Sequence, residues 1–444
     1  MSRRGRIAWG GFVAVTLAGV LPPVRAQIVS PAAIPVAGRI AVIHARAYLT
    51  PGEDPVDDAT ILIEGGKVRA SGAGLAAPDG FRVIDAKGAI VTPGLMNSNS
   101  RMALTETEGE ENTDSGVSSG PFGEAFDPAA ALNANSTVLP IVRADGLTRA
   151  AVLPTGSAAP PFSGEALLLV LREGPDILEQ PRAAVVVHVG GMLVNSSGGS
   201  RAAQWLLLRD ALDAASHNSK PGTSVAPAGF SGVTAENLAG LKPVLDGKIP
   251  LVVEASRESD LRQAIALVDD YKIHVVLLGA EEGWRVAPLL ASHHIAVVVN
   301  PYTDSPTSFD QIGARLDNAA ILDKAGVQVS IEGAFVSVTF NAGMATREGA
   351  GLAVANGMPW NHALRAITSG AAETWGIADR YGTLQPGKDA DLVIWDGDPL
   401  EPITNPVLVM VQGREVSLDN RQRMLERRYA PDQVNSNIPS GYRP

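Results

Sequence analysis

The chain has 444 residues, 45 % of them hydrophobic and 19 % charged, so a packed body is expected and a disordered or stalk-like chain is excluded. It has no cysteine, which rules out disulfides, thiolate zinc sites, iron–sulfur clusters and a cysteine nucleophile together. A net charge of −11 argues against nucleic-acid binding, which needs a basic face.

The first segment reads as an export signal. Arg3, Arg4 and Arg6 precede an apolar run, Ile7–Leu21, of about 15 residues, shorter than the ~20 a membrane span needs. Val24-Arg25-Ala26 then offers a small-x-small cleavage site before Gln27. Residues 1–26 are therefore expected to be removed, leaving a periplasmic or secreted protein with no stable membrane anchor. The route is open between general secretory and twin-arginine export.

Residues 39–92 read as short strands: Arg39–Ala47, Ala59–Ile63, Lys67–Ala70, Phe81–Asp85 and Ala89–Thr92, with Gly65-Gly66 as a hairpin turn. Ala390–Trp395, Val407–Val411 and Arg414–Ser417 repeat that character near the other end. Neither block has enough strands to bury a core alone, so 27–93 and 383–444 are expected to form one composite β-sandwich domain. Arg421–Pro444 is charged and Pro-rich and is expected to be an arm or packed tail.

Between them, continuous apolar runs alternate with helical stretches. The runs are Gly94–Asn97, Leu147–Leu153, Ala166–Leu171, Ala183–Val189, Pro250–Glu254, His274–Leu278, Ala296–Asn300 and Val327–Ile331. Helical patterns cover Ala202–Ala215, Ser259–Tyr271, Trp284–Ser292, Phe309–Ala325 and Ala363–Trp375. Eight such runs predict an α/β fold with a (β/α)8 TIM barrel over 94–382. The second to fourth units are short of helix, and spacing alone leaves a doubly wound sheet open.

Two motifs carry a family resemblance. Val83-Ile84-Asp85-Ala86-Lys87-Gly88-Ala89-Ile90-Val91-Thr92-Pro93-Gly94-Leu95-Met96 resembles the start of the barrel in the amidohydrolase superfamily. Gly382-Thr383-Leu384-Gln385-Pro386-Gly387-Lys388-Asp389-Ala390-Asp391-Leu392-Val393-Ile394-Trp395-Asp396 resembles the return to its β-sandwich. The imidazolonepropionase-like enzymes are the branch it most resembles. The resemblance implies a metal-dependent hydrolase fold for cyclic or linear amides, ureas or dipeptides, working through a metal-activated water. It also implies a His-x-His pair on the first strand, Lys or Glu on the fourth, His on the fifth and sixth, and Asp on the eighth.

This sequence departs from that set. The His-x-His positions hold Asn99 and Arg101, the fifth-strand position holds Ser256, the sixth lies near Gly279, and the eighth falls on or near Ala334, with Glu332 as a displaced acid. Arginine stays charged and repels a cation. Of the seven histidines, His188 is the pocket candidate. His274 lies at the wrong strand end, His293-His294 ends a helix, His217 and His362 read as surface positions, and His44 belongs to the sandwich. Glu106, Glu108, Glu110, Glu111 and Asp114 form an acidic loop at the barrel's active face, read as solvated or as a weak calcium site or lid.

The barrel-mouth candidates are thus Asn99, Arg101, His188, Glu254, Ser256 and Glu332. Strand parity turns Glu254 and Glu332 inward; Arg101 either pairs with one of them or swings out to Glu106 or Glu108 of the acidic loop, leaving the inward acids to water. The main reading is a catalytically degenerate amidohydrolase that binds an unidentified small molecule or partners an active homologue or a second copy, with no cofactor. The other is an active hydrolase of C–N bonds with a rearranged site, in which a divalent metal such as zinc would serve.

Overall fold

The computed structural model describes residues 38–107, 113–119, 122–156, 159–216, 234–333 and 341–429. The export segment, His217, Ala334 and Glu108, Glu110 and Glu111 lie outside them. Among the described residues no helix is long and apolar enough to cross a membrane.

One sheet draws on both chain ends. Its strands are β1 (Ile40–Ala47), β2 (Val56–Glu64), β3 (Lys67–Ala73), β4 (Arg82–Asp85) and β5 (Ile90–Pro93), with β14 (Leu392–Trp395), β15 (Pro406–Val411) and β16 (Arg414–Glu415). The order is β16-β15-β14-β5-β1-β2-β3, with β4 also paired to β1. Gly65 and Gly66 join β2 to β3 with φ of 61° and 80°, the two positive angles that a two-residue hairpin turn of matching twist requires. Ile40, Val42, Ile61, Val91, Leu392 and Ile394 form the core of this β-rich part.

The second sheet holds β6 (Leu95–Ser100), β7 (Leu147–Val152), β8 (Phe162–Val170), β9 (Leu178–His188), β10 (Leu251–Ala255), β11 (Val275–Gly279), β12 (Ala296–Val299) and β13 (Val329–Ile331). They lie side by side in chain order, and β13 comes back against β6, so the sheet nearly closes into a barrel. A doubly wound sheet, whose strand order reverses, is thereby excluded. Met96, Ala151, Leu168, Val186, Val252, Leu278 and Val298 fill the interior, and Trp375 and Tyr381 pack against them. Alternate residues such as Val187, Val253, Leu277 and Val297 face outward into a separate core that includes helix residues.

The helices are α1 (Val138–Ala144), α2 (Arg201–Ser216), α3 (Ala235–Leu245), α4 (Glu258–Tyr271), α5 (Ala287–Ser292), α6 (Asn318–Lys324), α7 (Ala342–Ala355), α8 (Trp360–Ala366), α9 (Ser369–Thr374) and α10 (Arg421–Tyr429). The long helix expected over Phe309–Ala325 is instead a 3-10 turn, Phe309–Gln311, followed by α6. The barrel is also not wholly parallel. β8 runs antiparallel to both β7 and β9. Only a short connection separates Val170 from Leu178, too little for the crossover a parallel pair needs, so the chain turns back as a hairpin. The C-terminal α10 is a helix with no buried residue and adds no strand.

Candidate active site

The C-terminal ends of the parallel strands deliver the polar groups of the mouth, the face where this fold places its chemistry. His188 ends β9, and Glu254 lies opposite it in register on β10. Val186 and Val252, two residues earlier, face the barrel interior, so parity turns both polar side chains inward. His188 Nδ1 and the Glu254 carboxylate form an ion pair. Burial alone would depress the His188 pKa, but Glu254 outweighs it and raises the value above the ordinary one. Burial likewise opposes the Glu254 charge, and His188 holds its carboxyl below the usual range. The Glu254 side chain remains 50 % exposed, so water reaches the pair through the open mouth. His188 Nε2 is buried without a properly formed hydrogen bond.

Glu332 lies just past β13 and is buried. Asn99 Nδ2 donates to its Oε2 at 2.5 Å. Asn99 is braced by Asn97, whose Oδ1 accepts from the Asn99 backbone at 2.9 Å and whose Nδ2 donates to Thr346 at 3.0 Å. Burial pushes the Glu332 pKa to about 7; Asn99 opposes the rise, and the charges of Glu254 and Glu281 add to it.

Glu281 and Asp304 complete the group and were not anticipated from the sequence. Glu281 stands two residues past β11, and Asp304 is in the loop after β12. Gln311 Nε2 donates to Glu281 Oε1 at 2.7 Å, and Thr303 lies at 3.5 Å from the same oxygen. Asn318 Nδ2 reaches Asp304 Oδ1 at 3.3 Å. Burial raises both acids, Asp304 to about 8 with Glu281's charge contributing. The available sequence signal was position alone: acids in loops that follow barrel strands belong to the active face.

The other candidates fall as follows. Ser256 is half-buried after β10 and hydrogen-bonds toward Glu281. Arg101 is half-buried just past β6, where its carbonyl accepts from Leu104 and Thr105. Of the two inward acids, Glu254 faces His188 in register and Glu332 is met by Asn99. Glu106 has a local job, accepting from Asn133 at 2.8 Å and from Ser136 and the Thr137 backbone at 3.0 Å, which ties down the start of α1. His293 bonds the Leu289 carbonyl at 2.9 Å at the end of α5, His362 meets Asp323 at 2.8 Å, and His44 meets Asp85 at 3.0 Å.

Among the described residues no group of three or more histidines and acids is placed to hold a metal ion. Asn99, Arg101 and Ser256 offer none of the imidazoles that a nitrogen-ligated divalent ion needs. Among the described residues the donor set of this mouth therefore does not fit that metal.

Residues 303–416 match the model of the amidohydrolase family. The amidohydrolase tasK of Hapsidospora irregularis is 42 % identical over 57 residues, 13 % of this chain; the chain spans only 6 % of that protein's length. A dihydroorotase of Pelotomaculum thermopropionicum is 25 % identical over 415 residues, 86 % of this chain and 94 % of its own. The crystal structure of an amidohydrolase from Thermotoga maritima MSB8 superposes with a TM-score of 0.75 at 23 % identity, over 85 % of this chain and 99 % of that one. Residues 303–416 thus resemble the amidohydrolase family, within a chain whose fold is similar to that of the Thermotoga maritima amidohydrolase.

Proposed function

We propose that this protein is an exported, catalytically degenerate amidohydrolase, from the imidazolonepropionase-like branch, that binds a small molecule at its barrel mouth without a metal. The observation that carries the reading is that Asn99, Arg101 and Ser256 stand where the resemblance implies imidazoles, with His188, the one inward histidine among the described residues, committed to Glu254. The site retains the position and inward geometry of an active centre while lacking the means to make a metal-bound hydroxide. An active homologue or a second copy of the chain is the partner this reading expects, with no role for nucleic acid.

A second reading has its own support. The His188–Glu254 pair and Glu332 stand together, and a carboxyl that titrates near neutrality can act as a general acid or base. That arrangement would serve a metal-free hydrolase of amide bonds, with cyclic amides suggested by the dihydroorotase relative.

One experiment separates them: elemental analysis of the purified mature chain, before and after incubation with zinc or manganese, together with hydrolysis assays on hydantoins, N-acyl amino acids and dipeptides. The expected result is far less than one bound ion per chain and no turnover. Turnover without metal would favour the second reading. One tightly held divalent ion per chain would overturn both.

A further inference from the structure

We infer that the barrel mouth binds an organic cation, a primary ammonium or guanidinium group, between Glu281, Asp304 and Glu332. The inference rests on the metal-free reading and adds the ligand class. Three observations carry it. First, Glu281, Asp304 and Glu332 follow the neighbouring strands β11, β12 and β13 at one face of the barrel, and Thr303, next to Asp304, lies 3.5 Å from Glu281 Oε1. Second, two acceptor atoms there have no donor: Glu281 Oε2 and Asp304 Oδ2 are buried and unpartnered, in residues that are 5 % and 1 % exposed. Folded proteins rarely leave such atoms unsatisfied, and a ligand that donates is the usual remedy at a site. Third, the donors already facing these acids are neutral: Gln311, Thr303 and Ser256 on Glu281, Asn318 on Asp304, and Asn99 and Asn300 on Glu332.

Arg201 and Arg257 do not fill this role. Arg201 and Arg257 both reach Asp310, Arg257 at 2.8 Å, and Arg257 also donates to the Phe309 carbonyl at 3.2 Å. The half-exposed Glu254 keeps an approach from solvent open. A guanidinium brings five donors and no acceptor and a charge that favours the ionised form of these acids, and charge-assisted bonds of this kind are the strong ones. A carboxylate-bearing ligand meets like charges and is disfavoured.

The test measures binding of butylguanidinium, the neutral isostere butylurea and butyrate to the purified full chain by titration calorimetry, for the native protein and for Glu281→Gln and Asp304→Asn. The expected result is butylguanidinium binding at least tenfold tighter than butylurea, no butyrate binding, and a tenfold or greater loss in each variant. Both variants neutralise an incompletely paired buried acid, so their thermal midpoints should hold or rise, which separates lost binding from lost fold. Equal affinity for the cation and the urea, no cation binding, or variants that bind as the native chain does would each overturn the inference. Absence of cation binding with no metal bound leaves the degenerate-enzyme reading standing. Stoichiometric binding of zinc or manganese at these acids would overturn both.

Discussion

At the residue scale the mouth shows how one charge is kept and others are suppressed. Glu254 stays ionised because His188 stands in register beside it and water has access. The His188 contribution, from a raised pKa, is fully present below the ordinary histidine value and is lost as pH climbs through the folded one. The Glu254 contribution, from a lowered pKa, is present above the ordinary carboxylate value and is lost as pH falls. Glu124 is the cleanest opposite case. It is 2 % exposed, its Oε2 has no partner, and burial pushes its pKa to about 8. A folded pKa above the unfolded one means that the native state binds more protons than the unfolded state. Stability is then highest below about pH 4.5 as far as this group is concerned, and falls until pH passes about 8. Glu124→Gln should therefore leave stability unchanged near pH 4 and raise it near pH 9 by about 3–5 kcal/mol, from a shift at ~1.4 kcal/mol per unit. Urea melts at the two pH values check this, and an equal change at both would contradict it.

At the element scale, the joint between the two sheets rests on Arg149. This β7 residue is fully buried and reaches Asp389 at 2.7 Å, Asp391 at 2.8 Å, and the Glu179 carboxylate on β9. Lys67 and Arg380 add a second cation to Asp389 and Glu179, at 2.6 and 3.2 Å. A buried network of this kind contributes little over an apolar replacement of the whole set, but breaking it from one side leaves charges stranded. Arg149→Met is expected to cost about 3–5 kcal/mol. Chemical denaturation measures the loss, and a change within experimental error would mean that Lys67 and Arg380 compensate. The Gly387–Asp391 stretch was legible as a family motif, but its acids carried no sign of a partner on β7. The same holds for β8: its apolar run was evident, whereas its reversed direction follows from the short connections on either side.

At the scale of the whole molecule, the β-rich part is built from strands far apart in the chain. β14 lies between β5 and β15 and buries all four of its residues. Trp395 on this strand donates to Thr92 at 2.9 Å, tying β14 to β5. Ending the chain at residue 382 should expose the β5 edge and the apolar core behind it and strand Arg149 without Asp389 and Asp391. The truncated protein is expected to be insoluble or to lack a cooperative melt. A soluble, cooperatively melting product would show that the barrel folds alone. The sequence by itself determined which segments are strands, that both chain ends carry β-structure, and that Asn99 and Arg101 stand at the end of the first barrel strand. These are local properties, carried by hydrophobic period, turn residues and motif spacing. Parity also turned Glu254 and Glu332 inward, since alternate side chains share a face. Only the tertiary structure decided that His188 pairs with Glu254, that Asn99 meets Glu332, and that Glu281 and Asp304 join them. Partner choice depends on the register between strands and on which charge is cheapest to pair once water is withdrawn. Both are set by the closed sheet as a whole and leave no mark on any one segment.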